Sequence, residues 1–266
     1  MAAASPTSGK TCRLLRPEGA CRRHWLPELL VLLAIVVFST ALFWLTSLDM
    51  AVAGLFYQSQ GGIWTQETPF LVTFLNGIDV WLTSIFLTGA VGVLLVSLLS
   101  ARARRLRIYA FLCLASLAVG PGLLVNGVFK GHWGRPRPNQ TLEFGGTETY
   151  LPPLVKGDFP DGHSFPSGHA SVAFVFVVLW FIWRRRHPTL AWTALLGSLL
   201  LGLIVGYARM AVGAHYLSDI LWSFIITFLV SHFLYYFIFR IQVWEGRTLE
   251  KSQTFSSGRK RMPVSE

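Results

Sequence analysis

The chain has 266 residues, 53% of them hydrophobic and 14% charged, with 23 Lys and Arg against 13 Asp and Glu. A soluble domain carries about 25% charged residues, and apolar runs long enough to cross a ~30 Å hydrocarbon core recur here, so a soluble globular fold is excluded. The net charge of +10 would suit a nucleic-acid binder, but the positions of the charges exclude that partner, as shown below. Cys12, Cys21 and Cys113 are odd in number and lack the spacing of a metal site or redox pair.

Residues 1–25 form a basic, acid-poor tail with Lys10, Arg13, Arg16, Arg22 and Arg23. The run from Leu26 to about Leu45 has no clear small-residue cleavage site and reads as an anchor, not a removed signal. Residues 47–76 are interrupted by Asp49, Gln58, Gly61, Gly62, Gln66 and Glu67; this predicts interfacial helices or a re-entrant piece. A second span is expected over about Val80–Leu99, and a third over about Ile108–Phe129, where Gly120-Pro121-Gly122 should loosen or kink the helix. Residues 139–165 read as a polar loop. The fourth span should begin near Ser167 and stop at Arg184-Arg185-Arg186, with a fifth over about Leu190–Tyr207 and a sixth over about Ile220–Phe239. From Arg240 to Glu266 the chain reads as an unstructured basic tail. The expected fold class is therefore all-α, a polytopic bundle of six transmembrane helices with short interfacial helices. Its membrane domain is placed at 26–241, between tails at 1–25 and 242–266.

Six spans put both termini on one side. The N-terminal tail, the 101–107 and 184–186 connections and the region from Arg240 onward carry 18 of the 23 basic residues. By the positive-inside rule that side is cytoplasmic. Lys130, Arg135, Arg137, Lys156 and Arg209 fall on the other side. The basicity is thus topological, and nucleic acid is not an expected partner.

Three polar clusters lie on the far side, at the edges of the spans. The first runs from Lys130 through Arg135 and Arg137 to Pro138; the second is Pro166-Ser167-Gly168-His169; the third runs from Arg209 through His215 to Asp219. Ionisable residues at membrane edges are expensive and usually functional. Ser167 can cap the helix that follows, whose first amides then make an anion site, and Gly168 lets the backbone approach a bound group. His215 and Asp219 are four apart and share a helix face if the sixth helix starts before them. Asp219 can accept the imidazole N–H and leave the other nitrogen free to attack, although an Asp cap beside an interfacial His is the better explanation of that pair taken on its own. Lys130, Arg137 and Arg209 supply the positive charge that a transferring phosphoryl group needs, and His169 is placed to act as general acid. His132 and His163 have no partner at helical ligand spacing and read as loop residues; His24, His187 and His232 lie toward the other side. No metal or other cofactor is expected, because the outer face has neither clustered carboxylates nor paired His ligands.

The three clusters resemble the signature motifs of the type 2 phosphatidic acid phosphatase superfamily: Lys-x6-Arg-Pro at Lys130–Pro138, Pro-Ser-Gly-His at Pro166–His169, and Ser-Arg-x5-His-x3-Asp at Ala208–Asp219. The resemblance implies a six-helix membrane phosphatase working through a phosphohistidine without metal. His215 would be the nucleophile, Asp219 its orienter and His169 the acid, while Lys130, Arg137, Ser167, Gly168 and Arg209 would hold the phosphate. The motif's serine is Ala208 here, so one hydroxyl is missing at the edge of the pocket. Arg135-Pro136 is a second Arg-Pro pair, but the spacing from Lys130 selects Arg137.

A pocket at the outer membrane edge favours a phosphorylated membrane lipid as substrate and the bilayer as partner. The 131–165 stretch resembles loops of bacterial lipid A phosphatases, which makes lipid A phosphate the expected substrate. Undecaprenyl pyrophosphate and phosphatidylglycerophosphate are rivals, as is phosphoryl transfer to an acceptor other than water. An anion transporter is disfavoured, because the cations sit at one face and not at the midplane, with no inverted repeat. The expected location is the bacterial inner membrane, with cytoplasmic termini and a periplasmic active site.

Overall fold

Lipid offers backbone groups no hydrogen bonds, so the apolar runs fold as helices. In this computed structural model residues 25–58, 62–65 and 69–245 are described, with the backbone alone over 69–76. The tail at 1–24 and the chain beyond Glu245 lie outside the described residues. Helix α1 spans Trp25–Leu45, followed by the short α2, Leu48–Gly54, and a small antiparallel pair, β1 (Tyr57–Gln58) and β2 (Ile63–Trp64). Next come α3, Pro69–Leu99, and α4, Arg104–Phe129. After the long outer segment follow α5, Gly168–Trp183, α6, Pro188–Ala211, and α7, Leu217–Ile238.

Among the described residues five helices, α1, α3, α4, α6 and α7, are long and apolar enough to cross a membrane. The fourth expected span differs. Helix α5 is shorter than the other five and is built of helical pieces of seven and six residues joined by a 3-10 turn at Val175–Val177. The β-branched run Val175 to Val178 around Phe176 favours α-helix poorly, and the tighter turn is its result. In the segment 47–76 the short helix α2 fits the expectation, whereas the β1–β2 pair does not, and the helix of the second span starts at Pro69, well before Val80. At the other end of the chain, residues 241–245 are helical, which corrects the expectation of an unstructured tail from Arg240. Ile241 and Glu245 are buried, and Glu245 accepts hydrogen bonds from Tyr109 (2.6 Å) and Tyr235 (3.2 Å).

Gly120-Pro121-Gly122 acts as expected, through a specific device. Pro121 has no N–H to give to the preceding turn, and Ala118–Phe129 is wound as a π-helix. Asn126 donates its side-chain amide to the Pro121 carbonyl at 2.7 Å, satisfying one group freed by the wider winding.

Helix α7 is the centre of the bundle: 67% of its most apolar stretch is buried, against 17% for α1. The outer faces of α1 and α3 remain apolar, with Val37, Phe38, Val80 and Trp81 all more than 60% exposed, as lipid contact requires. Small residues let α7 approach its neighbours closely. A Cβ on Gly120 of α4 would touch Val230 and the Thr227 backbone, and one on Gly206 of α6 would come within 2.6 Å of Ile220. The hydroxyls of Ser223, Thr227 and Ser231 each donate to a backbone carbonyl one turn back, which removes their polarity from the core.

The side-chain links sort into two ends. At one, Glu28 of α1 accepts hydrogen bonds from Arg184, just past α5 (2.5 Å), and Tyr236 of α7 (3.1 Å). There too the Arg107 guanidinium donates to the Ser97 carbonyl, tying α3 to α4. At the opposite end Trp44 of α1 donates to the Pro153 carbonyl at 2.8 Å, and all three polar clusters assemble there.

Candidate active site

The outer segment from Gly131 to Pro166 is a strap and not a floppy loop. It folds back on its own start through the bond from the Gly157 amide to the Trp133 carbonyl (2.9 Å). The Asn139 amide donates to the Gly213 carbonyl (3.0 Å), which fastens the strap to the turn before α7. Gly134 has φ +67 and lies against the Gly157 backbone, an approach that a side chain would block. His163 turns Nδ1 to the Lys130 carbonyl at 2.7 Å, and His132 turns Nδ1 to Val128 at 3.0 Å; both serve the local backbone.

Lys130 follows the last turn of α4. Burial, together with the positive charges of Arg137 and Arg209, holds its ammonium below the ordinary lysine value, and Asp79 partly offsets them. Such mutual repulsion arises only among cations gathered in one place. The Arg137 backbone amide donates to the Gln140 side chain at 2.8 Å, while its buried Nε has no hydrogen-bond partner among the described residues. Arg209 ends α6 and lies within electrostatic reach of Arg137 and Asp79. His169, in the first turn of α5, lies within reach of Arg209, Asp79, His215 and Lys130. The three separated clusters therefore meet.

Ser167 caps α5: its hydroxyl accepts the Ala170 amide at 3.5 Å, and the residue is fully buried. Accepting that bond leaves the O–H itself free to donate, so this end of α5 can offer an anion the hydroxyl as well as its backbone N–H groups. A Cβ on Gly168 would come within 2.5 Å of Asn126 Oδ1, so the close packing of α5 on the π-turn of α4 needs glycine here.

His215 sits in the turn before α7, where Gly213 takes φ +66 beneath the Trp64 ring. It is 2% exposed. Its Nδ1 faces the Ser164 carbonyl at 2.7 Å and stands 3.8 Å from Asp219 Oδ2. A carbonyl can only accept, so Nδ1 carries the proton and Nε2 keeps its lone pair. Burial holds the imidazole below the ordinary histidine value against the opposing pull of Asp219. The immediate partner of His215 is thus the Ser164 backbone, a residue that the motif spacing does not reveal. Asp219 reaches it indirectly, by accepting the Ser164 hydroxyl (2.6 Å) and the Tyr216 amide (2.8 Å).

The other oxygen of Asp219 belongs to Arg135. This guanidinium is wholly buried and bonds to Asp219, to Asp49 of α2 (2.9 Å), to the Ser218 hydroxyl (2.9 Å) and to the Leu151 carbonyl (2.8 Å). It lies over the rings of Tyr216 and Tyr150, 4.6 and 5.5 Å from their centroids. Burial works against its charge, but Asp219 and Asp49 outweigh that and raise its pKa above the ordinary arginine value. Arg135, grouped above with the open outer cations, is instead the strut behind the nucleophile candidate. Asp49, grouped above with the residues that break a span, is 1% exposed and accepts bonds from Tyr150 (3.1 Å) and the Ser218 amide (2.9 Å).

Sequence reasoning also passed over Asp79, whose Oδ2 lies 3.6 Å from His169 Nε2. An acid at the head of an apolar helix is the signal that would have found it. Among the described residues no three His, Cys, Asp or Glu side chains cluster as metal ligands.

Residues 106–242, about half of the chain, match the PAP2 superfamily. A lipid A 4′-phosphatase of Francisella tularensis subsp. novicida (strain U112) is 30% identical over 219 residues, covering 79% of this chain and 96% of that protein. A lipid A 4′-phosphatase of Rhizobium leguminosarum is 38% identical over 121 residues, 45% of this chain and 48% of that protein. No solved structure matches the chain. With its motifs gathered at one end of an apolar bundle, the chain belongs to the PAP2 superfamily and is a bacterial membrane lipid phosphatase, a phosphoric monoester hydrolase.

Proposed function

We propose that the chain removes a phosphate from lipid A, at the 4′ position, on the periplasmic face of the inner membrane, through a phosphohistidine on His215 and without metal. The observation that carries the chemistry is the meeting of Lys130, Arg137, Arg209 and His169 around a histidine whose Nδ1 is already bonded to the Ser164 carbonyl. Nε2 then has the lone pair for attack on phosphorus. The three cations and the amides at the head of α5 face the charge spread over the equatorial oxygens. His169 gives a proton to the leaving lipid oxygen and later takes one from the attacking water. Asp219 and Ser164 hold the nucleophile's tautomer. The lipid A reading is supported by the activity that the relatives' names state, and the periplasmic reading by the distribution of basic residues.

Purified protein in detergent is expected to release inorganic phosphate from lipid A, with the rate unchanged by excess EDTA. Abolition by EDTA would contradict a metal-free site. Release from undecaprenyl pyrophosphate or phosphatidylglycerophosphate but not from lipid A would reassign the substrate. The low proton affinity of His215 sets the acid limb. A neutral nucleophile persists until the pH falls through its lowered pKa, so kcat/KM should hold at pH values below about 6.5, the ordinary imidazole value. A limb centred above that value would contradict a buried neutral imidazole.

A further inference from the structure

One charged group in the site has no part in gripping phosphate. Asp79, in the outer half of α3, carries a charge that would repel a phosphate dianion, yet it lies within electrostatic reach of Lys130, Arg209 and His169. Its Oδ2 is 3.6 Å from His169 Nε2, and both side chains are partly open, at 28% and 21% exposure. The pair is therefore not entombed as a packing device. The charged and titratable groups facing His169 come from four elements: Lys130 after α4, Arg209 of α6, His215 before α7, and Asp79 of α3. Burial and the first two oppose a proton on the imidazole, a charged His215 would add to them, and of these groups only Asp79 favours it. We propose that Asp79 is a positioning residue that draws a proton onto His169 for delivery to the leaving oxygen, an inference that rests on the phosphohistidine reading above.

In the first step a His215 nitrogen bonds to phosphorus as the bond from phosphorus to the lipid oxygen breaks. The His169 proton moves to that oxygen, giving the lipid alcohol. In the second step water bonds to phosphorus through its oxygen and passes a proton to neutral His169, the phosphorus–nitrogen bond breaks, and inorganic phosphate leaves. His169 ends as it began.

A group that supports proton delivery matters most when the leaving group is poor. The test compares wild type, Asp79→Asn and Asp79→Glu on lipid A and on an alkylated nitrophenyl phosphate in the same micelles. Asp79→Asn is expected to lower kcat on lipid A about 100-fold and on the nitrophenyl ester less than about 3-fold, with KM little changed. Asp79→Glu should recover most of the loss on lipid A. Equal losses on the two esters, or a raised KM on lipid A with kcat intact, would overturn the inference, the latter pointing to a headgroup contact. Rapid quenching of wild type with the nitrophenyl ester separates the two failures. Phosphohistidine present with Asp79→Asn indifferent to the leaving group overturns this inference alone, and phosphohistidine absent overturns the mechanism beneath it as well.

Discussion

His215→Ala is expected to lower lipid phosphatase turnover about 10⁴- to 10⁶-fold, the loss seen when a covalent nucleophile is removed. The variant should still fold, because among the described residues the imidazole's hydrogen-bond partner is the Ser164 carbonyl, with Asp219 farther off at 3.8 Å. No phosphoryl adduct should form on it. His169→Ala, which removes the general acid, should lose about 10²- to 10⁴-fold on lipid A and accumulate phosphohistidine from an ester with a good leaving group. Mass spectrometry of quenched protein checks both, and a phosphoryl group on any residue other than His215 would contradict the assignment.

Arg135→Ala is expected to be among the most destabilising substitutions in the chain. It leaves Asp49 and Asp219 buried, 86 and 84 residues from Arg135 in sequence, without their shared cation. Breaking a buried pair by removing one partner costs about 3–5 kcal/mol. Arg135→Lys should rescue little, since one ammonium cannot fork between two carboxylates while lying flat between two tyrosine rings. The readout is the unfolding midpoint in detergent. A midpoint unchanged in Arg135→Ala would mean that the trio contributes nothing to holding the outer strap against α2 and α7.

The spans and the three motif clusters were legible in sequence because both are local. An apolar run declares its helix, and a polar residue at its end declares an edge. Gly120-Pro121-Gly122 announced a departure from regular helix, though not that it would become the π-turn against which Gly168 packs. What sequence hid are pairings across long separations. Arg135 carries the same Arg-Pro signature as Arg137, yet one is locked between two carboxylates and the other belongs to the cation cluster. Nothing near either residue records that difference, because Asp49 comes from another helix. Ser164 was invisible because it acts on His215 through its carbonyl, a group every residue has. The shortness of α5 was likewise masked, since Val175 to Val178 counts as apolar whether it winds as α or 3-10.

The account stands on a single phosphorus atom being held by three distant parts of the chain. Orthovanadate, a five-coordinate mimic of the phosphoryl group in flight, tests this directly in an experimental structure of the protein. The vanadium should bond to His215 Nε2, with its oxygens met by Lys130, Arg137, Arg209 and the first amides of α5, and with His169 opposite the nucleophile. Vanadate bound away from His215, or held by only one of the three clusters, would contradict it.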